Sequence, residues 1–205
     1  MTTSWDRPPP GTTVGEFFER WLPEAFAASG RHAPDNAPTI RASISGAGGS
    51  AWELRADGRA LVVSAPGRDP PDVWIRQSTA DLLVGLGGSD ADLPVLLPPG
   101  LSAQDVLFVD PRDVDLLRQI SGRLLFEIEG RRRRRWALDV GFGKTGVSAG
   151  RPRSTLRVDG ATFEGLRTGK IPPMRPLIDG RLRVEGDRAL AMQLLLLLGS
   201  RLGRR

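Results

Sequence analysis

The stretch GRLRVEGDRALAMQLLLLL, Gly180 to Leu198, joins a short alternating strand to an almost wholly apolar helix, and the rest of the chain reads as its container. Leu182 and Val184 alternate with Arg181, Arg183 and Glu185, the period of a strand with one buried face. Gly186 and Asp187 supply a turn and an N-cap, so a helix is predicted from Arg188. That helix carries Leu190, Ala191, Met192 and Leu194 to Leu198, has Gln193 as its only polar interior residue, and stops at Gly199, a favourable C-terminal glycine. With no polar face to spare, it is either a central core helix or a helix whose surface partly lines a cavity for an apolar ligand.

The same string resembles the closing segment of the type-two sterol carrier protein family, whose last strand and helix run roughly L-x-I-x-G-D-x-x-L-A-M-K-L. Here it stands as Leu182, Val184, Gly186, Asp187, Leu190, Ala191, Met192, Gln193 and Leu194, with Gln193 in place of the usual lysine. Upstream, STLRVDGATFEGLRTGKIPPMRPLIDG is similar to the family's penultimate strand, a helix and a linker to the last strand. The resemblance implies an α/β sandwich, in which a mostly antiparallel five-stranded sheet carries helices on one face and an apolar tunnel runs between the layers. Alternating strands that leave one face apolar ask for such helices on their own account.

Working outward, the preceding residues repeat the order. LLFEIE, WALDV, TGVSA and STLRV read as four strands, ATFEGLRT as a helix and KIPPMRPLIDG as a linker. In the first half TIRASIS, SAWELRA and RALVVSA, separated by GAGG and by Asp57-Gly58, predict an antiparallel meander. DVWIRQ is a fourth strand, Thr79 to Leu86 a short helix, and Gly87 to Asp105 a proline-bearing linker. VLFV then leads into Asp110-Pro111, an N-cap with proline at the first helical position, and a helix running to Gly122. WELRADGRALVVSAP resembles WALDVGFGKTGVSAG with Trp52 against Trp136, and LFVDPRDVDLL resembles LRVEGDRALAM, which points to an internal duplication. The expected organisation is a flexible proline-rich tail over 1–12, a first and degenerate sterol-carrier-like unit over 13–122, and a second, clearer unit over 123–205. The first unit opens with a capping box, Thr13 with Glu16, and a helix bearing Val14, Phe17, Phe18, Trp21, Leu22, Ala25 and Phe26. Pro23 should kink or restart that helix and Gly30 should close it.

Composition bounds the possibilities. The 205 residues, 40% of them hydrophobic, suffice for a sizeable core, and the absence of cysteine removes disulfides and thiolate metal sites. The N-terminus lacks a charged region followed by an apolar one, and no apolar run reaches the roughly 18 residues of a membrane span, so a soluble cytoplasmic protein is expected. A net charge of +5 would suggest nucleic acid or anionic lipid as a partner, yet only Lys144 and Lys170 among the 29 basic residues are lysine, Asn36 is the sole asparagine and tyrosine is missing. That pattern reads as arginine replacing lysine on ordinary surfaces.

Catalytic constellations are scarce. GFGKTG, Gly141 to Gly146, matches a nucleotide-loop spacing but joins two strands and so reads as a hairpin turn. Arg131 to Arg135 falls at a hairpin loop and is either solvated or an anion-binding patch; without interleaved aromatics it does not suggest base stacking. His32, the single histidine, lies in a proline-flanked loop, and Asp110, Asp113, Asp159 and Asp187 each have a helix-start explanation. No catalytic, cofactor or metal residues are predicted. The expected function is a non-enzymatic carrier or binding protein for an apolar small molecule, such as a fatty acyl chain or sterol. Its predicted ligand-binding residues are Phe163, Leu166, Met174, Leu177, Ile178, Leu190, Leu194 and Leu197. The rival is a structural or interaction module whose tunnel is filled by its own side chains and which acts on a protein partner.

Overall fold

The computed structural model describes residues 8–30, 32–86, 90–93, 111–143, 152–172 and 174–193. Eight strands form one continuous sheet in the order β3-β2-β1-β4-β6-β5-β7-β8. They are β1 Thr39–Ser45, β2 Ala51–Asp57, β3 Ala60–Ser64, β4 Val73–Ser78, β5 Gly122–Glu129, β6 Arg135–Phe142, β7 Ser154–Asp159 and β8 Leu182–Gly186. The mixed α/β class expected from the alternating runs holds. Four strands of each half enter the sheet, and the predicted strands VLFV (106–109) and TGVSA (145–149) lie outside the described residues.

Within each half the pairing follows one order. β1 pairs antiparallel with β2 and parallel with β4, and β5 pairs antiparallel with β6 and parallel with β7. The two halves meet where β4 pairs antiparallel with β6, Val73 opposite Phe142 and Ile75 opposite Val140. Among the described residues β3 and β8 are the outer edges.

The register puts one set of side chains on one face. Ile40, Ala42, Ile44, Trp52, Leu54, Leu61, Val73, Leu124, Ile128, Trp136, Phe142, Leu156, Val158 and Leu182 are all buried there. The opposite face carries a charged ladder: Arg41 with Glu53 at 2.6 Å, Arg123 with Asp139 at 2.5 Å, and Arg157 with Glu127 at 2.7 Å. One face apolar and one ionic draws the described helices onto the apolar side.

The N-terminal helix α1 is capped as expected. Thr13 accepts from the Glu16 amide at 3.2 Å and Glu16 reaches back to the Thr13 amide at 2.9 Å. It runs as an α turn Val14–Glu16, a π turn Phe17–Trp21 and an α segment Leu22–Ala28. Pro23, which has no N–H to donate, stands at the restart just after the π turn. Phe18 stacks on Trp52 with centroids 4.6 Å apart, and the Trp52 indole donates to Glu19 at 2.9 Å. That stack is worth about 0.5–1.5 kcal/mol beyond its area.

α2 (Thr79–Gly85) follows β4 and α4 (Gly160–Arg167) follows β7, each capped by the last strand residue or its neighbour. Ser78 accepts from the Asp81 amide and Asp159 from the Thr162 amide. α3 (Pro111–Gln119) ends earlier than expected. Ile120 N–H bonds to the Leu117 carbonyl in a tightened last turn, and Gly122 opens β5 opposite Phe142 instead of terminating a helix. Glycine suits this position because its φ of +143° is a backbone that L side chains rarely adopt, and a Cβ there would also displace the Leu190 side chain, 2.8 Å away. The linker after α4 also holds a helical turn, α5 (Arg175–Ile178). Of the tail, residues 8–12 include a turn closed by Thr12 on the Pro9 carbonyl; Trp5 lies outside the described residues.

Candidate functional site

The junction of β8 with the final helix, helical over 188–193, is fixed by its Gly-Asp pair. Gly186 has φ +84°, and a Cβ on it would stand 2.2 Å from the Arg153 carbonyl oxygen, so no other residue fits. Asp187 caps the helix by accepting from the Ala189 amide at 2.9 Å and the Leu190 amide at 3.2 Å. Its second oxygen pairs with Arg153 Nε at 2.8 Å, and Ser154 Oγ donates to its carbonyl at 2.5 Å. The sharp turn therefore lifts the helix off β8 in one defined direction.

That direction decides which side chains do what. Leu190 and Ala191 are buried, with Leu190 lying over Gly122, whereas Arg188, Ala189 and Gln193 are exposed. Arg188 and Met192, four residues apart on one side, face a partly open cavity of about 340 Å³ whose other walls are Leu177 from α5 and Leu182 and Val184 from β8. Four of its five walls are aliphatic or thioether and the fifth is a guanidinium. The cavity can take an apolar body and place a cation beside it, but offers no nucleophile or base.

Of the predicted ligand residues, Leu177 lines this cavity. Phe163 and Leu166 are half-buried on α4, Phe163 against Phe126 at 6.3 Å, and Leu190 belongs to the core. Met174 and Ile178 are 42% and 77% exposed and do not line the cavity, and Leu194 and Leu197 lie outside the described residues. Leu182, Val184, Arg188 and Met192 were not anticipated as walls, although the alternation of β8 and the four-residue spacing of Arg188 and Met192 would have placed them together.

The arginine run is a hairpin loop between β5 and β6, as expected, but only partly solvated. Arg132 and Arg133 take positive φ, 50° and 62°, and the chain then turns Arg134 inward. Arg134 pairs with Asp81 at 2.8 Å and Asp90 at 2.9 Å, and Arg135 with Glu127 at 3.3 Å. The Arg134 hydrogen bond holds the Asp90 carboxyl below its usual range. A Cβ on Gly130 would be 2.1 Å from the Asp92 carbonyl oxygen, and the Arg131 amide donates to that carbonyl at 2.6 Å. The loop is thus a buttress against 90–93. Gly143 of the GFGKTG string sits in a turn at φ +65°, and its later residues lie outside the described ones. His32 is exposed, and no cluster of three potential metal ligands occurs among the described residues.

The fold is a mixed α/β one, a helix-covered sheet with a cavity beside β8. Residues 103–198 match the SCP-2 sterol transfer family, the family that the closing string resembles. The chain is 30% identical over 89 residues to hydroxysteroid dehydrogenase-like protein 2 of Xenopus tropicalis, covering 42% of this chain and 21% of that protein. It is 32% identical over 100 residues to peroxisomal multifunctional enzyme A of Dictyostelium discoideum, covering 46% and 23%. The chain thus spans between a fifth and a quarter of the length of these relatives. Among solved structures it is similar to sterol carrier protein 2 from Yarrowia lipolytica in the apo form, with 21% identity, coverage of 43% and 80% and a TM-score of 0.30. It is also similar to sterol carrier protein domain 2 of Helicoverpa armigera, with 18% identity, coverage of 58% and 94% and a TM-score of 0.39.

Proposed function

We propose that this protein is a non-enzymatic carrier that holds an apolar small molecule, of the fatty-acyl or sterol kind, beside its last strand. The observation that carries the reading is the cavity walled by Leu177, Leu182, Val184 and Met192, which lies inside the segment that matches the SCP-2 sterol transfer family. Its volume of about 340 Å³ is near the lower end of the roughly 300–1,000 Å³ usual for ligand pockets, which favours one acyl chain over a bulkier ring system. Covering some hundreds of Å² of apolar ligand at about 25 cal/mol per Å² leaves micromolar affinity after association costs. The expected ligand residues Leu194 and Leu197 follow in sequence and lie outside the described residues. In this reading the chain holds two sterol-carrier-like units, 13–122 and 123–205, and acts in the cytoplasm. What supports the two units is the shared pairing order of β1, β2, β4 and β5, β6, β7. No helix among the described residues is long and apolar enough to cross a membrane.

A second reading, a filled interaction module, draws on Phe126. It packs between Trp136 at 6.2 Å and Phe163 at 6.3 Å, so aromatic side chains occupy space between the layers. Titrating delipidated protein with a fluorescent fatty acid and a fluorescent sterol separates the two. The carrier binds at least one at micromolar levels with a rise in Tm, and Val184→Phe, which fills the cavity, weakens binding about tenfold or more while the fold persists. If neither probe binds at tens of micromolar and neither moves Tm, the filled module takes its place.

A further inference from the structure

β3 is an outer strand with nothing built to keep other strands away. Its five residues, Ala60–Ser64, hold no charge and no proline, and its register with β2 runs without a bulge from Glu53 opposite Ser64 to Asp57 opposite Ala60. Charge, proline and bulges are the usual means by which an outer strand is kept from pairing with another chain. β8, at the other end of the sheet, carries charge, with Arg183 and Glu185 exposed along it. β2 and β3 are joined by the two-residue turn Gly58-Arg59, with Gly58 at φ +57°. Such a turn closes on a hydrogen-bonded pair, here Asp57 with Ala60. Along β3 the backbone groups of Ala60, Val62 and Ser64 therefore go to β2, and those of Leu61 and Val63 point outward. Among the described residues no other backbone hydrogen bond reaches Leu61 or Val63. Val62, 45% exposed, stands between them on the ionic face, with exposed Ala60 and Ser64 on either side.

We infer that β3 pairs with β3 of a second copy of this chain, antiparallel about a two-fold axis at Val62, which joins two eight-stranded sheets into one. In that register Leu61 of each copy faces Val63 of the other, and the outward N–H and carbonyl groups of both satisfy one another. Val62 faces its own counterpart at a position without hydrogen bonds, where opposed side chains come closest, so two exposed valines cover each other. Ala60 faces Ser64 and Arg59 faces Ala65, so no charge opposes a like charge. Arg55, opposite Val62 on β2, would lie three strand spacings, about 14 Å, from its counterpart, and it has Asp57 at 3.7 Å. Backbone bonds alone would admit any strand. What favours a second copy is that the strand is its own complement in hydrogen bonding, in its exposed apolar side chain and in charge. Five paired residues cover less than the roughly 800 Å² per partner of a standard interface, so the dimer is a weak and reversible one. The cavities beside β8 would stand at opposite ends of the joined sheet, and the inference takes nothing from the carrier reading.

The test is sedimentation velocity of the full chain from about 5 to 500 µM, joined to oxidative cross-linking of single-cysteine variants. The chain has no cysteine of its own, so Val62→Cys reports the register directly. The wild type should pass from monomer towards dimer across that range. Val62→Lys, which sets two cations face to face, should raise the dissociation constant at least about tenfold, yet melt with the wild type when dilute because the site is exposed. Val62→Cys should give a disulfide-linked dimer, since opposed strand residues fall within the roughly 4.4–6.8 Å Cα separation a disulfide accepts. Arg183→Cys on β8 should stay unlinked at the same concentration. A chain still monomeric at about 500 µM, a dimer that Val62→Lys leaves intact, or equal linking of the two cysteine variants overturns the inference. So does protection of the Leu61 and Val63 amides from solvent exchange that is the same in dilute and concentrated protein, which would put another segment of the same chain on this edge.

Discussion

Trp136 of β6 donates its indole N–H to the backbone carbonyl of Asp81 in α2 at 2.7 Å, a buried hydrogen bond between residues 55 positions apart. It ties the second half of the chain to a helix of the first, beside Gly85, which lies against the ring. With β4 paired to β6, the halves share both a sheet and a core.

Trp136→Phe should therefore destabilise the whole chain by about 1–3 kcal/mol, because a buried carbonyl loses its donor and the ring site is underfilled. Guanidinium unfolding followed by tryptophan fluorescence and by far-UV circular dichroism should stay a single coincident transition, moved to lower denaturant. Two separated transitions would show that the halves fold independently.

The arginine loop divides by residue. Arg132→Gly and Arg133→Gly should be neutral or stabilise by up to about 1 kcal/mol, because both positions have left-handed backbone that glycine adopts freely. Arg134→Ser should cost about 1–2 kcal/mol, since Asp81 is only 8% exposed and loses its cation. A urea series on the three single variants checks the ordering.

At the junction before the final helix, Gly186→Ala should cost more than about 3 kcal/mol or prevent folding, given a Cβ 2.2 Å from a carbonyl oxygen and φ +84°. Asp187→Ala should cost about 1–2 kcal/mol, the loss of a cap and of its pair with Arg153. Thermal melts rank the two, and a larger effect for Asp187→Ala would contradict the geometry.

Acid should unfold the protein for a traceable reason. The Arg41 hydrogen bond holds Glu53 below its usual range, and the Arg134 hydrogen bond does the same for Asp90. Burial pushes Asp159 up, but hydrogen bonds from Thr162 together with the Ala161 and Asp159 backbone amides outweigh it and the net shift is downward. With folded pKa values below unfolded ones, the unfolded chain binds more protons in acid. Their stabilisation is complete above about pH 5, declines as pH falls through about 4, and is gone once the folded values are passed. Denaturant midpoints from pH 7 to pH 3 should follow that curve, and Arg41→Gln should flatten it.

Local devices were legible because they are written in adjacent residues. Thr13 with Glu16, Gly58 after Asp57 and Asp187 after Gly186 each specify a cap or turn by chemistry within four positions. Strand neighbours were not, because an alternating run such as VWIRQS looks the same whether its partner is parallel, as β1 is, or antiparallel, as β6 is. The cavity walls were hidden by uniformity. A helix apolar nearly all round gives no phase, so Leu190 in the core and Met192 in the cavity could be told apart only once Gly186 had set the helix direction. Arg134 was masked likewise, one of five identical residues whose inward turn depends on two left-handed neighbours.

The position of β8 as an outer strand has a consequence for local opening. Seven strand spacings of about 4.8 Å put roughly 34 Å between it and β3, at whose end α1 packs its aromatic residues. The final helix can therefore fray and reclose while the Phe18–Trp52 stack stays intact, and amides of 188–193 should exchange with solvent deuterium orders of magnitude faster than those of β1 and β2. For the carrier proposed above, cargo would enter and leave through sub-global fluctuation of one end, while the opposite end of the sheet stays folded.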